Sequence, residues 1–257
     1  MKKNGYRALA LGAALFLLLP TGCGKKEDQY SLRKAGIEAL DAGSYEAAAE
    51  AFGQAIDASS GFVGRFELDV LKYRAEAEYL SGDFEAAQKT YEILIQVDEK
   101  RPEYYHMRCA CRAETGDYKG ALEDYHKAVE LDPEGKAPGR TKALLAAGAA
   151  LEAQGESEEA MSLYETAKAQ GAESALLYNR MGLCKAGAED WDGAIEYFSL
   201  GLSAPDGGEL SELLFNQAVA YEHKGDFHTA LTLMEQYVSS HGPDEEAERE
   251  ITFLKTR

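Results

Sequence analysis

Six small residues recur along this chain, and each is followed twelve residues later by an alanine. Gly36 precedes Ala48, Ala75 precedes Ala87, Cys109 precedes Ala121, Gly148 precedes Ala160, Gly182 precedes Ala194 and Ala218 precedes Ala230. Successive alanines stand 39, 34, 39, 34 and 36 residues apart. Four residues beyond each comes a large side chain: Phe52, Tyr91, Tyr125, Tyr164, Phe198 and Met234. Five residues before each alanine stands Gly43, Gly82, Gly116, Gly155 or Gly225, except in the fifth copy, where Glu189 takes that place. A period of this length marks an array of similar units, whose function is to be sought on a shared surface.

Small residues at a fixed spacing across a turn describe two antiparallel helices that cross closely. A larger side chain at either place would force the backbones apart or strain them. The Gly–Asp pair before the second helix supplies the turn. Prolines near the ends of units, Pro133, Pro205 and Pro243, stop the second helix. The large residue after each alanine is expected to fill the space against the neighbouring unit.

This small–small–aromatic pattern resembles the tetratricopeptide repeat, a helix–turn–helix unit of 34 residues. The resemblance implies an all-α, right-handed superhelical solenoid over residues 30–243, with units near 29–62, 68–101, 102–135, 141–174, 175–208 and 211–244. Residues 244–257, with Ala247, Ile251 and Leu254 at helical spacing, are expected to form a capping helix. The chain departs from the family pattern in places. Leu32, Leu71, Tyr105, Leu144, Tyr178 and Leu214 stand where the family has Trp, and the fourth unit carries Ser157 at the turn aromatic. The 39-residue steps hold extra residues in ASSGFVGRF and PEGKAPGRT.

The N-terminus follows a different logic. MKKNGYR is basic, Ala8 to Pro20 is apolar, and TGCG follows. That apolar core is shorter than the roughly 20 residues a spanning helix needs. The segment resembles the signal of bacterial lipoproteins, in which cleavage leaves a lipid-modified Cys as the new N-terminus. Thr21 and Gly22 match its small residues, while Pro20 stands where Leu is usual and Leu19 lies one place earlier. The resemblance implies a leader over residues 1–22, lipidation at Cys23, a short polar tether over 23–29, and attachment to the outer side of a bacterial cell membrane.

The chain carries 45 acidic and 27 basic residues, a formal charge of −18. Such an excess repels nucleic acid and anionic headgroups, which reward clustered Lys and Arg. No phosphate-binding Gly loop, HExxH, paired CxxC or nucleophile elbow is present, so neither a cofactor nor an enzymatic activity is expected. HMRCAC, with His126 downstream, invites a metal reading. Residues two apart on a helix point about 200° from each other, so Cys109 and Cys111 cannot face one ion. The same divergence opposes a bridge between them, and Cys184 lies two units away. Core packing is the better account of these thiols. Adjacent acids such as Glu158 and Glu159 read as a solvated helix face.

In the family, residues of the first helices line an inner groove that holds a peptide or a partner's helix. The candidates here are Arg33, Lys34, Lys72, Tyr73, His106, Asn179, Arg180, Phe215, Asn216 and His223. They form a basic, amide and aromatic set suited to acidic side chains or a terminal carboxylate, or they are ordinary exposed positions. The fixed Lys and Asn pattern with which some members clamp chaperone tails is absent. The expected function is a membrane-anchored extracytoplasmic scaffold that binds a protein or peptide and recruits or assembles envelope proteins. The alternative is an accessory subunit that localises a cell-wall enzyme.

Overall fold

The computed structural model describes residues 22–59, 63–208, 210–242 and 245–257. These form thirteen helices: α1 (Gly22–Asp41), α2 (Tyr45–Asp57), α3 (Arg65–Leu80), α4 (Phe84–Val97), α5 (Pro102–Glu114), α6 (Tyr118–Leu131), α7 (Arg140–Ala153), α8 (Ser157–Ala169), α9 (Ala175–Gly187), α10 (Trp191–Ser203), α11 (Glu212–His223), α12 (Phe227–His241) and α13 (Glu245–Leu254). The first twelve pair as six hairpins, and the second helix of each packs on the first helix of the next. Among the described residues no helix is long and apolar enough to cross a membrane. Residues 1–21 of the expected leader lie outside the described residues, as does the Cys23 side chain. Residues 23–29, expected as a tether, are helical and continuous with α1.

The contact that sets helix spacing lies between the small residue and the large one. A Cβ placed on Gly36 would stand 2.6 Å from the Phe52 ring, on Gly148 2.3 Å from Tyr164, and on Gly182 2.4 Å from Phe198. The ring therefore lies on the small residue of its own unit as well as against the neighbouring unit. Its other side does reach the neighbour: Phe52 stacks on Tyr73 of α3 with centroids 5.6 Å apart. Phe52, Tyr164 and Phe198 are fully buried by this double cover.

The turn inside each unit is a fused cap. Asp83 N–H donates to Glu78 O at 3.0 Å, and the same bond recurs at Ser44–Ala39, Asp117–Arg112, Glu156–Leu151, Asp190–Lys185 and Asp226–Tyr221. This is the Schellman closure, which needs a left-handed residue just before the donor. Gly43, Gly82, Gly116, Gly155 and Gly225 supply it with φ between 72° and 82°. In four units the donor residue then opens the next helix. The carboxylates of Asp83, Asp117, Asp190 and Asp226 accept from the backbone N–H groups of Ala86, Gly120, Gly193 and Thr229. In the fifth unit Glu189 holds the left-handed conformation at φ 59° without a glycine.

Two polar networks join the helices of units two and three. Arg108 grips Asp124 with both arms of its guanidinium, at 2.8 and 2.7 Å, and Arg112 reaches the same carboxylate at 3.0 Å. At the matching positions of unit two, Arg74 bonds Glu78 at 2.6 Å, and Glu78 accepts from Thr90 at 2.6 Å. Asp124 and Glu78 are almost wholly buried, so each charge depends on its partners.

At the far end, Ala247 and Leu254 of α13 pack into the cluster of Ala218, Ala230 and Met234. Lys255 reaches Glu235 of α12 at 3.2 Å. The extra residues of the longer steps fall in the connections α2–α3 and α6–α7, and α5 still packs on α7 across the second of them.

The packing makes opposed predictions for glycines of one chemistry. Gly182→Ala pushes a methyl into the Phe198 ring and should lower stability by about 1–3 kcal/mol. Gly53→Ala, with nothing within 4 Å of the new methyl, should raise it by about 0.4–1 kcal/mol. Chemical-denaturation midpoints of both variants check this. If Gly182→Ala is as harmless as Gly53→Ala, the ring does not set the spacing. The same assay should show Glu189→Gly stabilising by about 0.5–1 kcal/mol, because the left-handed strain of an L-residue is relieved.

Candidate functional site: the concave groove

A groove of about 630 Å³ runs across the first helices of units two to five. Its register is regular. Counted from each small residue, it takes positions such as six before (Lys142, Leu176), one after (Ala110, Ala149), four after (Tyr79, Ala113, Glu152) and five after (Glu114, Ala153). The floor is made of alanines, so another backbone can come close to it. Leu145, Leu176 and Tyr79 provide the larger apolar surface, and Leu176 is 43% exposed.

The charges in the groove are balanced and engaged. The Lys142 ammonium sits 4.3 Å from the centre of the Tyr79 ring. Arg180 donates to Glu152 at 2.9 Å, and the other oxygen of Glu152 accepts from the Cys184 thiol at 3.4 Å. Burial, then the neighbouring Glu114, pushes the Tyr79 hydroxyl up to about 12. Burial and then Glu152 take the Cys184 thiol up to about 12 as well. Both groups stay protonated at neutral pH, and the Cys184 thiol is a donor to Glu152 rather than a thiolate.

Tetratricopeptide repeat models match residues 33–102, 102–134 and 212–242, more than half of the chain between them. The chain is a tetratricopeptide repeat protein. It is 31% identical over 150 residues to the heat shock protein sti1 homolog of Schizosaccharomyces pombe, which covers 58% of this chain and 24% of that one. The repeat protein thus spans about a quarter of that relative's length. Among solved structures it resembles PilW, described as a widely conserved type IV pilus biogenesis factor, with a TM-score of 0.69 at 15% identity over 88% of this chain and 98% of that one. It also resembles YrrB, described as a repeat protein with an unusual peptide-binding site, with a TM-score of 0.56 at 19% identity over 81% and 100%. At these identities the two structures speak for the fold alone.

Of the ten residues expected to face a partner, Arg180 lines this groove. Several of the others join one unit to the next. Arg33 pairs with Asp69 of α3 at 2.6 Å and lies 5.4 Å from the centre of the Tyr73 ring. Lys72 lies 5.7 Å from the centre of the Tyr104 ring of α5. Tyr73 is held against Phe52. Asn179 is buried and accepts from Asn216 of α11 at 2.9 Å. Phe215 meets Tyr237 edge to face, and His223 lies flat on Trp191 at 4.1 Å. Lys34 is exposed and bonds within its own helix to Glu38 at 3.5 Å.

His106 is a plain correction. It is 1% exposed, and its Nδ1–H donates to Pro138 O at 2.9 Å, pinning the α6–α7 connection onto α5. Burial lowers its pKa, so it serves that loop as a neutral ring. The expected basic set is therefore not a continuous basic surface. The two thiols of HMRCAC point into different clusters, Cys109 among Ala121 and Ala143, Cys111 among Tyr91 and Tyr104.

What the sequence reading missed was the alanine floor. Alanine carries no chemical signal, but RTKALLAAGAALEA, which is α7, has small or apolar residues all round its axis. A helix of that kind is covered on more than one side.

The groove register also reaches the cap. Glu222, at the four-after position of unit six, faces Glu250 of α13. Burial, then the hydrogen bond and charge of Glu222, pushes the Glu250 carboxyl up to about 7. Between the ordinary carboxylate range and about pH 7, the folded chain holds a proton that the unfolded chain has lost. Stability should fall as pH rises through that window and stay lower above it. Glu250→Gln, which keeps a donor toward Glu222, should raise the melting temperature at about pH 8 and leave it nearly unchanged at about pH 5. A gain of equal size at both would mean that the pair is not protonated in the folded chain.

Proposed function

We propose that this repeat protein is a membrane-anchored scaffold on the outer side of a bacterial cell membrane, holding an apolar segment of a protein partner in its concave groove. Tetratricopeptide repeats are protein-interaction scaffolds, and the groove carries the reading for this chain. Its alanine floor admits a close backbone, and its two cations, Lys142 and Arg180, are offset by Glu114 and Glu152, so it suits a segment with apolar contacts and few net charges. The lipoprotein-like signal at Cys23 supports the anchoring. The likeness in fold to a pilus biogenesis factor supports a role in envelope assembly, by analogy.

Two variants test the two halves of the proposal. Cys23→Ala should move the protein from the membrane to the soluble fraction, since a multiply acylated Cys is what holds it; continued membrane retention would refute the lipid anchor. Ala149→Arg fills the groove floor with an exposed chain and should keep the fold. In affinity capture from solubilised membranes it should lose, by ten-fold or more, a partner retained by the wild type and by the outer-face control Lys127→Glu. An identical set of captured proteins from all three would remove the groove as the recognition surface.

A further inference from the structure

The fourth unit breaks the repeat pattern at its turn, and the structure shows what the break leaves. In the fifth unit the first residue of the second helix, Trp191, stacks on His223 at the end of the next unit's first helix, 4.1 Å between centroids and 3° between planes. One unit earlier the matching positions are Ser157 and Gly187. A cavity of about 660 Å³ lies between them, and both residues line it. A Cβ placed on Gly187 would meet nothing within 4 Å. Both rings of the neighbouring pair are thus missing from one place, and the space remains open.

The walls of this notch have a definite chemistry. Met161 and Cys184 line it, and a methionine side chain packs well against aromatic rings. Glu156, Glu158 and Glu159 stand exposed on its rim. The wall cation, Lys185, is held by Asp190 at 3.1 Å. None of these residues lines the concave groove.

We infer that the notch between units four and five receives an aromatic side chain of a partner protein, flanked in that partner by basic residues. The ring takes the place that Trp191 and His223 fill for themselves one unit on. The flanking cations meet the three rim carboxylates, which gives the contact its salt dependence. This second surface shares no lining residue with the groove, so binding at each is tested separately.

The probe is the blocked tripeptide Lys-Trp-Lys, titrated into the isotope-labelled chain and followed by backbone amide shifts, with Lys-Ala-Lys as control. Lys-Trp-Lys should shift amides of residues 155–161 and 184–188 and bind at least ten-fold more tightly than the control. Ser157→Trp with Gly187→His, which rebuilds the neighbouring stack, should lose that binding ten-fold or more without a lower melting temperature. Ser157→Trp alone replaces it should the pair misfold. Glu158→Gln with Glu159→Gln should weaken binding several-fold and flatten its salt dependence. Equal binding of the two peptides, shifts confined to other residues, or undiminished binding to the filled variant would each overturn the assignment.

Discussion

How closely two helices can approach when one offers only hydrogen atoms at the crossing decides the rest of this molecule. Gly36, Gly148 and Gly182 let a ring from the partner helix rest on bare backbone. The ring is then deep enough for its far side to be covered by the next unit, as Phe52 is by Tyr73. One contact therefore fixes both the spacing within a hairpin and the seating of its neighbour. Where Ala or Cys replaces Gly, the seat of the large residue varies: Tyr91, opposite Ala75, is still buried. Tyr125, opposite Cys109, is only partly buried, and opposite Ala218 the unbranched Met234 is fully buried in place of a ring.

This explains why the fold was legible in the sequence and the groove was not. Packing makes the same demand in every unit, so its residues recur and a single chain displays the pattern six times. The Gly–Asp turns recur for the same reason, since backbone handedness and capping admit few alternatives. The groove obeys no such demand, because what faces it depends on a partner. Arg33, Lys72 and Asn179 hold the same register position as Leu145, three before the small residue, yet they engage neighbouring first helices where Leu145 lines the groove. Neither polar type nor register alone reveals whether a side chain turns into the groove or against its neighbour. The Arg108–Asp124 pair was hidden for another reason: sixteen residues separate its members, and only the hairpin brings them together.

The chain's charge is distributed in a way that composition hides. A formal −18 would suggest a field that rejects acidic partners everywhere. In the groove, Lys142 and Arg180 offset Glu114 and Glu152, which leaves shape and apolar surface as its distinguishing features. At the turn of unit four, Glu156, Glu158 and Glu159 are offset by little, since Lys185 is already committed to Asp190. One solenoid thus carries a near-neutral channel and an acidic edge.

The helix α7 carries a consequence for how the chain comes to be folded. It contacts α5, α6 and α8, and its alanines give it almost no side that water would welcome. During synthesis it gains α5 and α6 as soon as it emerges, but its remaining surface stays bare until α8 and then α9 have left the ribosome. A fragment ending after the third unit closes on a connection; one ending at α7 ends on an uncovered apolar rod. The middle of the array is therefore the place where its two halves become one cooperative body, and where an interrupted chain would be most prone to associate with another copy of itself.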